Sequence, residues 1–186
     1  MLLGFFISAL PLAGAFLVFI FFPLYYQKIL GWDFSKSLII SQIILVLSTL
    51  SIPLFGKINE KYSNKFILLL CCIGVLIFSY PLFFSFEYLS ASFIIIFSFI
   101  VIFLLTCYFA IFPLLIAELF PTPVRYTCIG LSYNLSSSVL GGTIPLIALY
   151  LLKITNNAAS PSWILICAAV LSLIALLLLK EDKVLK

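Results

Sequence analysis

Six stretches of nearly unbroken apolar residues run along the chain, and the short connections between them, with the carboxy-terminal tail, hold its charge. They cover residues 2–26, 37–55, 66–86, 90–117, 127–152 and 162–179. About 20 helical residues cross the roughly 30 Å of bilayer hydrocarbon, and each stretch is close to that length or longer. In lipid every backbone N–H and C=O must be satisfied internally, which leaves helices or a closed barrel. Barrel strands alternate polar and apolar positions over about ten residues. These stretches do not alternate. They predict an all-α membrane protein of about six transmembrane helices, with residues 1–186 as a single domain. The first stretch has no basic residues before it and is longer than the apolar core of a signal peptide, so despite the small pair Ala13 and Ala15 it is read as a retained helix.

Composition reinforces the pattern and excludes several chemistries. Of 186 residues, 65% are hydrophobic and 9% charged, with a mean hydropathy of +1.35. A soluble domain is roughly half apolar and about a quarter charged. The chain has no histidine, which removes the usual ligands for haem, di-iron and most zinc sites. Its five cysteines (Cys71, Cys72, Cys107, Cys128 and Cys167) sit in apolar runs without a Cys-x-x-Cys spacing and read as small helix residues. The six carboxylates fall in connections, at helix ends or in the tail. A membrane enzyme would need a nucleophile or base inside the bilayer. With no histidine for a serine dyad and no intramembrane aspartate pair, the chain is expected not to be an enzyme, and to hold no metal or cofactor. The few basic residues give no basis for nucleic-acid binding.

Their distribution sets a direction. One side of the membrane receives Lys57, Lys61, Lys65, Arg125, Lys180, Lys183 and Lys186, and the other Lys28, Lys36 and Lys153. Basic residues in short loops stay cytoplasmic, so both termini are expected in the cytoplasm, as an even number of spans requires. Proline marks five of the six spans, at Pro11, Pro23, Pro53, Pro81, Pro113 and Pro145. Each frees a carbonyl and bends its helix, a property that helices lining a cavity can use. The alternative is simply that membrane helices are richer in proline than soluble ones.

Two connections are more specific. Between spans two and three lies Gly56-Lys57-Ile58-Asn59-Glu60-Lys61-Tyr62-Ser63-Asn64-Lys65. It resembles the G-x-x-x-D-R-x-G-R-K loop of the major facilitator superfamily: Gly56, Lys61 and Lys65 keep the glycine or a basic residue, Glu60 replaces the aspartate, and Ser63 and Asn64 depart from the pattern. Between spans four and five, Ala117-Glu118-Leu119-Phe120-Pro121-Thr122-Pro123-Val124-Arg125-Tyr126 is followed by Tyr133-Asn134 and by Gly141-Gly142-Thr143-Ile144-Pro145-Leu146. This succession is similar to the region around helices ten and eleven of the metabolite–proton symporter branch, which includes proline/betaine and citrate transporters.

The resemblance implies that the six spans correspond to the carboxy-terminal six-helix half of a twelve-helix carrier. It further implies a proton-gradient-driven symporter for a small zwitterionic osmolyte or organic acid, in the inner membrane. Half a carrier offers one wall of a cavity, so the chain alone is expected not to accumulate solute. The second wall would come from a separate amino-terminal half or a homodimer, with the bilayer and a small-molecule solute as the other partners. Candidate cavity groups are Tyr25, Gln42, Tyr133, Asn134, Ser137 and Thr143, with Ser136 beside them; the alternative for each is an interhelical hydrogen bond. Gly56, Glu60, Lys61, Lys65, Glu118 and Arg125 are candidates for a conformational latch, with Glu118 and Arg125 pairing together or with a basic loop. Gly56 and the Gly141-Gly142 pair suit close helix packing. The competing function is a channel-like, structural or otherwise non-transporting membrane subunit. No re-entrant pore segment or ring of charge is visible for a channel.

Overall fold

The computed structural model describes residues 2–59, 61–88 and 91–179, with helices joined by short connections and no strand among them. Glu60 and the tail lysines Lys180, Lys183 and Lys186 lie outside the described residues. The helices form six rods. The first contains α1 (Leu2–Ile7), α2 (Ala9–Phe16), a π turn (Leu17–Phe21) and α3 (Phe22–Leu30). The second is α4 (Phe34–Leu50) with α5 (Ile52–Asn59), the third α6 (Asn64–Tyr88) and the fourth α7 (Ala91–Leu119). A 3₁₀ turn (Thr122–Val124), α8 (Arg125–Ser136), a second π turn (Ser137–Gly141) and α9 (Gly142–Thr155) make the fifth, and α10 (Ser162–Leu178) the sixth.

Among the described residues, four stretches are long and apolar enough to cross a bilayer: Phe34–Asn59, Asn64–Phe86, Ser92–Leu119 and Thr122–Thr155. Leu2–Phe16 and Ser162–Leu178 are apolar but shorter. The helices outrun the apolar stretches because they end on local capping chemistry rather than at the last apolar residue. Asp33 starts the second rod by accepting a hydrogen bond from the Ser35 amide at 3.1 Å. At the far ends of α3 and α9, Gly31 and Asn156 turn the chain out in the left-handed conformation (φ 63° and 49°).

Proline explains where the rods are irregular. A proline at position i cannot donate to the carbonyl at i−4. Pro23 and Pro145 therefore leave residues 19 and 141 without their usual donors, and each of these falls inside a π turn. Pro53 follows the break between α4 and α5, and Pro11 the break between α1 and α2. Pro81 and Pro113 are accommodated inside continuous helices.

The first-rod break is held from three sides. The Tyr108 hydroxyl donates to the Ile7 carbonyl at 3.0 Å, the acceptor that Pro11 cannot serve. Ser172 Oγ stands within the helix ladder, donating to the Phe6 carbonyl at 2.8 Å and accepting from the Leu10 amide at 3.1 Å. Ser136 donates to the Phe5 carbonyl at 3.2 Å. The fourth, fifth and sixth rods thus satisfy backbone groups that lipid would leave orphaned.

The other half of the first rod packs through aromatic rings. Tyr25 meets Phe86 edge to face at 4.5 Å and Phe83 at 5.7 Å, while Phe22 meets Phe83 at 6.0 Å. Tyr26 donates to Ser98 Oγ at 2.8 Å. On the far side of the bundle α6 packs against α7 and α10, and α10 against α1 and α2. The third and sixth rods thereby back the first, second, fourth and fifth, which enclose a cavity.

Candidate functional site

The cavity is partly open and has a volume of about 490 Å³, within the range of small-molecule sites. The first rod contributes Pro11, Gly14, Phe16 and Val18, the second Leu45, Thr49 and Ile52, the fourth Leu105, Thr106 and Phe109, and the fifth Tyr133 and Ser137. No charged side chain is among the lining residues. Among the described residues no group of three metal-ligating side chains comes together.

Its few polar groups are unevenly placed. Thr49 and Thr106 each donate to the carbonyl one turn back in their own helix, Leu45 and Ile102, at 2.8 Å. Their oxygens present lone pairs, with the hydroxyl protons already engaged. On the fifth rod, Tyr133 and Ser137 stand one turn apart, and neither hydroxyl is engaged by another described residue. The Tyr133 ring is held by stacking on Phe112, with centroids 6.4 Å apart at 16°.

Of the polar candidates read from the sequence, the fold brings Tyr133 and Ser137 to this cavity. Gln42, Asn134 and Thr143 lie on exposed faces of their rods, with the Thr143 hydroxyl turned back to the Val139 carbonyl at 2.6 Å. Tyr25 is buried in the aromatic cluster and donates to the Ala158 carbonyl, and Ser136 is taken by the first-rod break. The sequence reading passed over Phe16, Thr49, Thr106 and Phe109. Phe109 carried one usable signal, since it lies four residues before Pro113 and so has a carbonyl without its usual intrahelical donor.

The two distinctive connections meet at one end of the bundle. Asn64 Nδ2 donates to Glu118 Oε1 at 2.9 Å, joining the start of α6 to the end of α7. Lys65 Nζ donates to the Leu179 carbonyl at 2.6 Å, just past α10. Glu118 therefore takes an amide partner, and among the described residues it forms no ion pair with Arg125. Arg125 instead donates from Nε to the Phe120 carbonyl at 3.1 Å, stapling its own Pro121–Val124 turn. Lys61 is exposed.

The glycines divide. A Cβ on Gly141 would lie 2.2 Å from the Phe16 ring, so the first and fifth rods do touch there through a glycine. Gly56 and Gly142 have nothing within 4 Å of that position, and the close packing expected of them is absent inside this bundle because both face outward.

Lys65 places a cation on terminal carbonyls of α10, where the helix dipole is negative. Lys65→Met is expected to lower stability by about 1 kcal/mol. Glu118→Ala, at an exposed contact, is expected to change it by less than about 0.5 kcal/mol. Thermal unfolding of both variants in lipid nanodiscs checks the order.

The sequence profile of the Major Facilitator Superfamily matches residues 1–145. The chain belongs to that superfamily. It is 28% identical over 164 residues to a Staphylococcus aureus protein named as a proline/betaine transporter, covering 87% of this chain and 34% of that one. It is 26% identical over 182 residues to the ectoine/proline transporter of Corynebacterium glutamicum, covering 98% and 36%. Over 176 residues it is 24% identical to the citrate–proton symporter of Salmonella typhi, covering 92% and 40%. The chain thus spans about a third of the length of these curated relatives. No solved structure matches it at a significant level. Family, composition and apolar helices together make the chain an integral, all-α membrane protein of the transporter class.

Proposed function

We propose that this chain forms one six-helix wall of a proton-coupled carrier for a small zwitterionic osmolyte or organic acid. The other wall comes from a second six-helix body. The observation that carries the reading is the partly open cavity together with the exposed polar positions on two of the rods that line it. Along the second rod the exposed positions include Gln42, Thr49 and Gly56, and along the fifth rod Asn134, Ser138 and Gly142. Amides and hydroxyls are poorly served by hydrocarbon and well served by a facing helix. Glycines open to their surroundings let such a helix approach closely.

In this reading all six rods cross the inner membrane. Both termini are cytoplasmic, as the basic-residue count favours. The two bodies rock about solute held between them, and the Asn64–Glu118 and Lys65–Leu179 contacts steady the cytoplasmic end. The described cavity lining offers no carboxylate. The chain moves solute and catalyses no chemical change.

Proteoliposomes of the pure chain are expected to accumulate no proline, betaine or citrate under an imposed proton gradient. Co-reconstitution with a second six-helix body of the same family should restore uptake that collapses with a protonophore. Uptake by the pure chain as a monomer overturns the two-wall reading, uptake by a cross-linked homodimer identifies the second body as another copy, and no uptake from any pairing favours a non-transporting membrane subunit.

A further inference from the structure

A second hollow lies between the second and fourth rods, where Ile40, Ile43 and Leu47 of α4 and Ile96 and Phe99 of α7 line a groove of about 410 Å³. Among the described residues everything that lines it is isoleucine, leucine or phenylalanine. Ile43, Leu47 and Ile96 are half exposed. We propose that this groove holds one phospholipid, with the phosphate on Lys36 and one acyl chain along Ile43, Leu47 and Phe99.

The α4 wall is a stripe at helical spacing, and Lys36 continues it one turn toward the start of the helix. Helix side chains lean toward the N-terminus, and Lys36 Nζ lies 4.7 Å from the centre of the Trp32 ring, just before α4 begins. A cation therefore stands at the polar end of a wholly apolar groove. The nearby carboxylate of Asp33 is turned to the Ser35 amide at 3.1 Å. The polar positions Gln42 and Thr49, which suit a facing helix body, lie roughly half a turn around α4 from the stripe. A body docked there leaves the groove to the bilayer.

An acyl chain gains no hydrophobic energy by leaving bulk lipid for this groove, because lipid is as apolar as the walls. Two other effects select it. The isoleucines, branched at Cβ, have few rotamers with which to close the hollow, so a flexible chain must fill it to give the walls partner atoms. The phosphate then gains a fixed cation at headgroup level.

The test uses the full chain in phosphatidylcholine nanodiscs doped with phosphatidylcholine that carries a diazirine midway along one acyl chain. After photolysis, peptide mass spectrometry is expected to find label concentrated on Ile43, Leu47, Ile96 and Phe99 rather than on exposed α10 positions such as Ile174 and Leu178. Lys36→Gln should lower the groove label about fivefold, and Lys36→Arg should keep it. Ile43→Trp with Ile96→Trp fills the groove and should abolish its label. Unchanged labelling of α10 shows that each variant is folded.

Equal label on the groove and on α10 means ordinary boundary lipid and overturns the proposal. So does groove label that survives Lys36→Gln, or that a diazirine fatty alcohol without phosphate matches at the same dose. An unlabelled groove, with Leu47→Cys joining two chains through a disulfide, makes a second copy the occupant and also overturns it.

Discussion

The double substitution Tyr108→Phe with Ser172→Ala is expected to destabilise the bundle by about 3 kcal/mol, near twice the upper value of about 1.7 kcal/mol for a single membrane hydrogen bond. Interhelical hydrogen bonds in membranes average only about 0.6 kcal/mol because a freed group usually finds another partner. At the first-rod break that escape is restricted. Pro11 has no N–H, so the Ile7 carbonyl that loses the Tyr108 donor has no intrahelical substitute. The two sites differ instructively. Once Ser172 is gone, the Leu10 amide and the Phe6 carbonyl it bridged can rejoin each other directly, provided the first rod straightens. Ser172→Ala alone should therefore cost less than Tyr108→Phe alone. Unfolding free energies of the two single variants and the double variant in lipid, compared in a double-mutant cycle, check both the sum and the order.

Phe83→Ala should cost about 2–3 kcal/mol, for a different reason. Phe83 is fully buried against Phe22, Tyr25 and Phe86. In water its loss would forfeit transfer free energy as well as packing. Inside a bilayer the surrounding chains are as apolar as the core, so only the packing loss remains. If about 100 Å³ stays empty, at about 24 cal/mol per Å³ the penalty is about 2.4 kcal/mol. Phe83→Leu, which leaves a smaller void, should lose less than half as much. Equal losses for the two variants in the same lipid would show that volume is not what the cluster contributes.

The contrast between the two sites illustrates what an apolar sequence reveals. Within a uniformly apolar run there is no hydrophobic period, so nothing along the chain separates an inward side from a lipid-facing one. Phe109 and Phe83 look alike in the sequence, yet one lines the open cavity and the other is sealed in an aromatic cluster. Polar residues were the natural candidates for the cavity, and they divided by helical phase. Tyr133 reaches it, while its neighbour Asn134, turned about 100° around the helix, faces outward. Ser172 had no distinguishing neighbour, and its role exists only because Pro11 breaks a helix 161 positions away in the chain. The loop residues were easier to recognise, since charges, glycine and proline are rare enough here to form a pattern. Even there the partners were a matter of geometry: Glu118 meets Asn64 rather than Arg125.

By itself the sequence determined the solvent, the helical class and the family, because each follows from local composition or from residues adjacent in the chain. Hydrocarbon forces backbone groups to pair within their own segment, so long apolar runs imply helices without knowledge of any neighbour. Four of the six span prolines, Pro11, Pro23, Pro53 and Pro145, also lie beside irregular points of the rods, whereas Pro81 and Pro113 sit in continuous helices. The tertiary structure alone decided which of two adjacent side chains enters the cavity, which hydroxyls keep a free proton, and which serine completes a broken helix. Those outcomes depend on the rotation of each rod about its axis and on which rods touch. Rotation is set by packing between segments far apart in sequence, and a run that is apolar on every side carries no record of it.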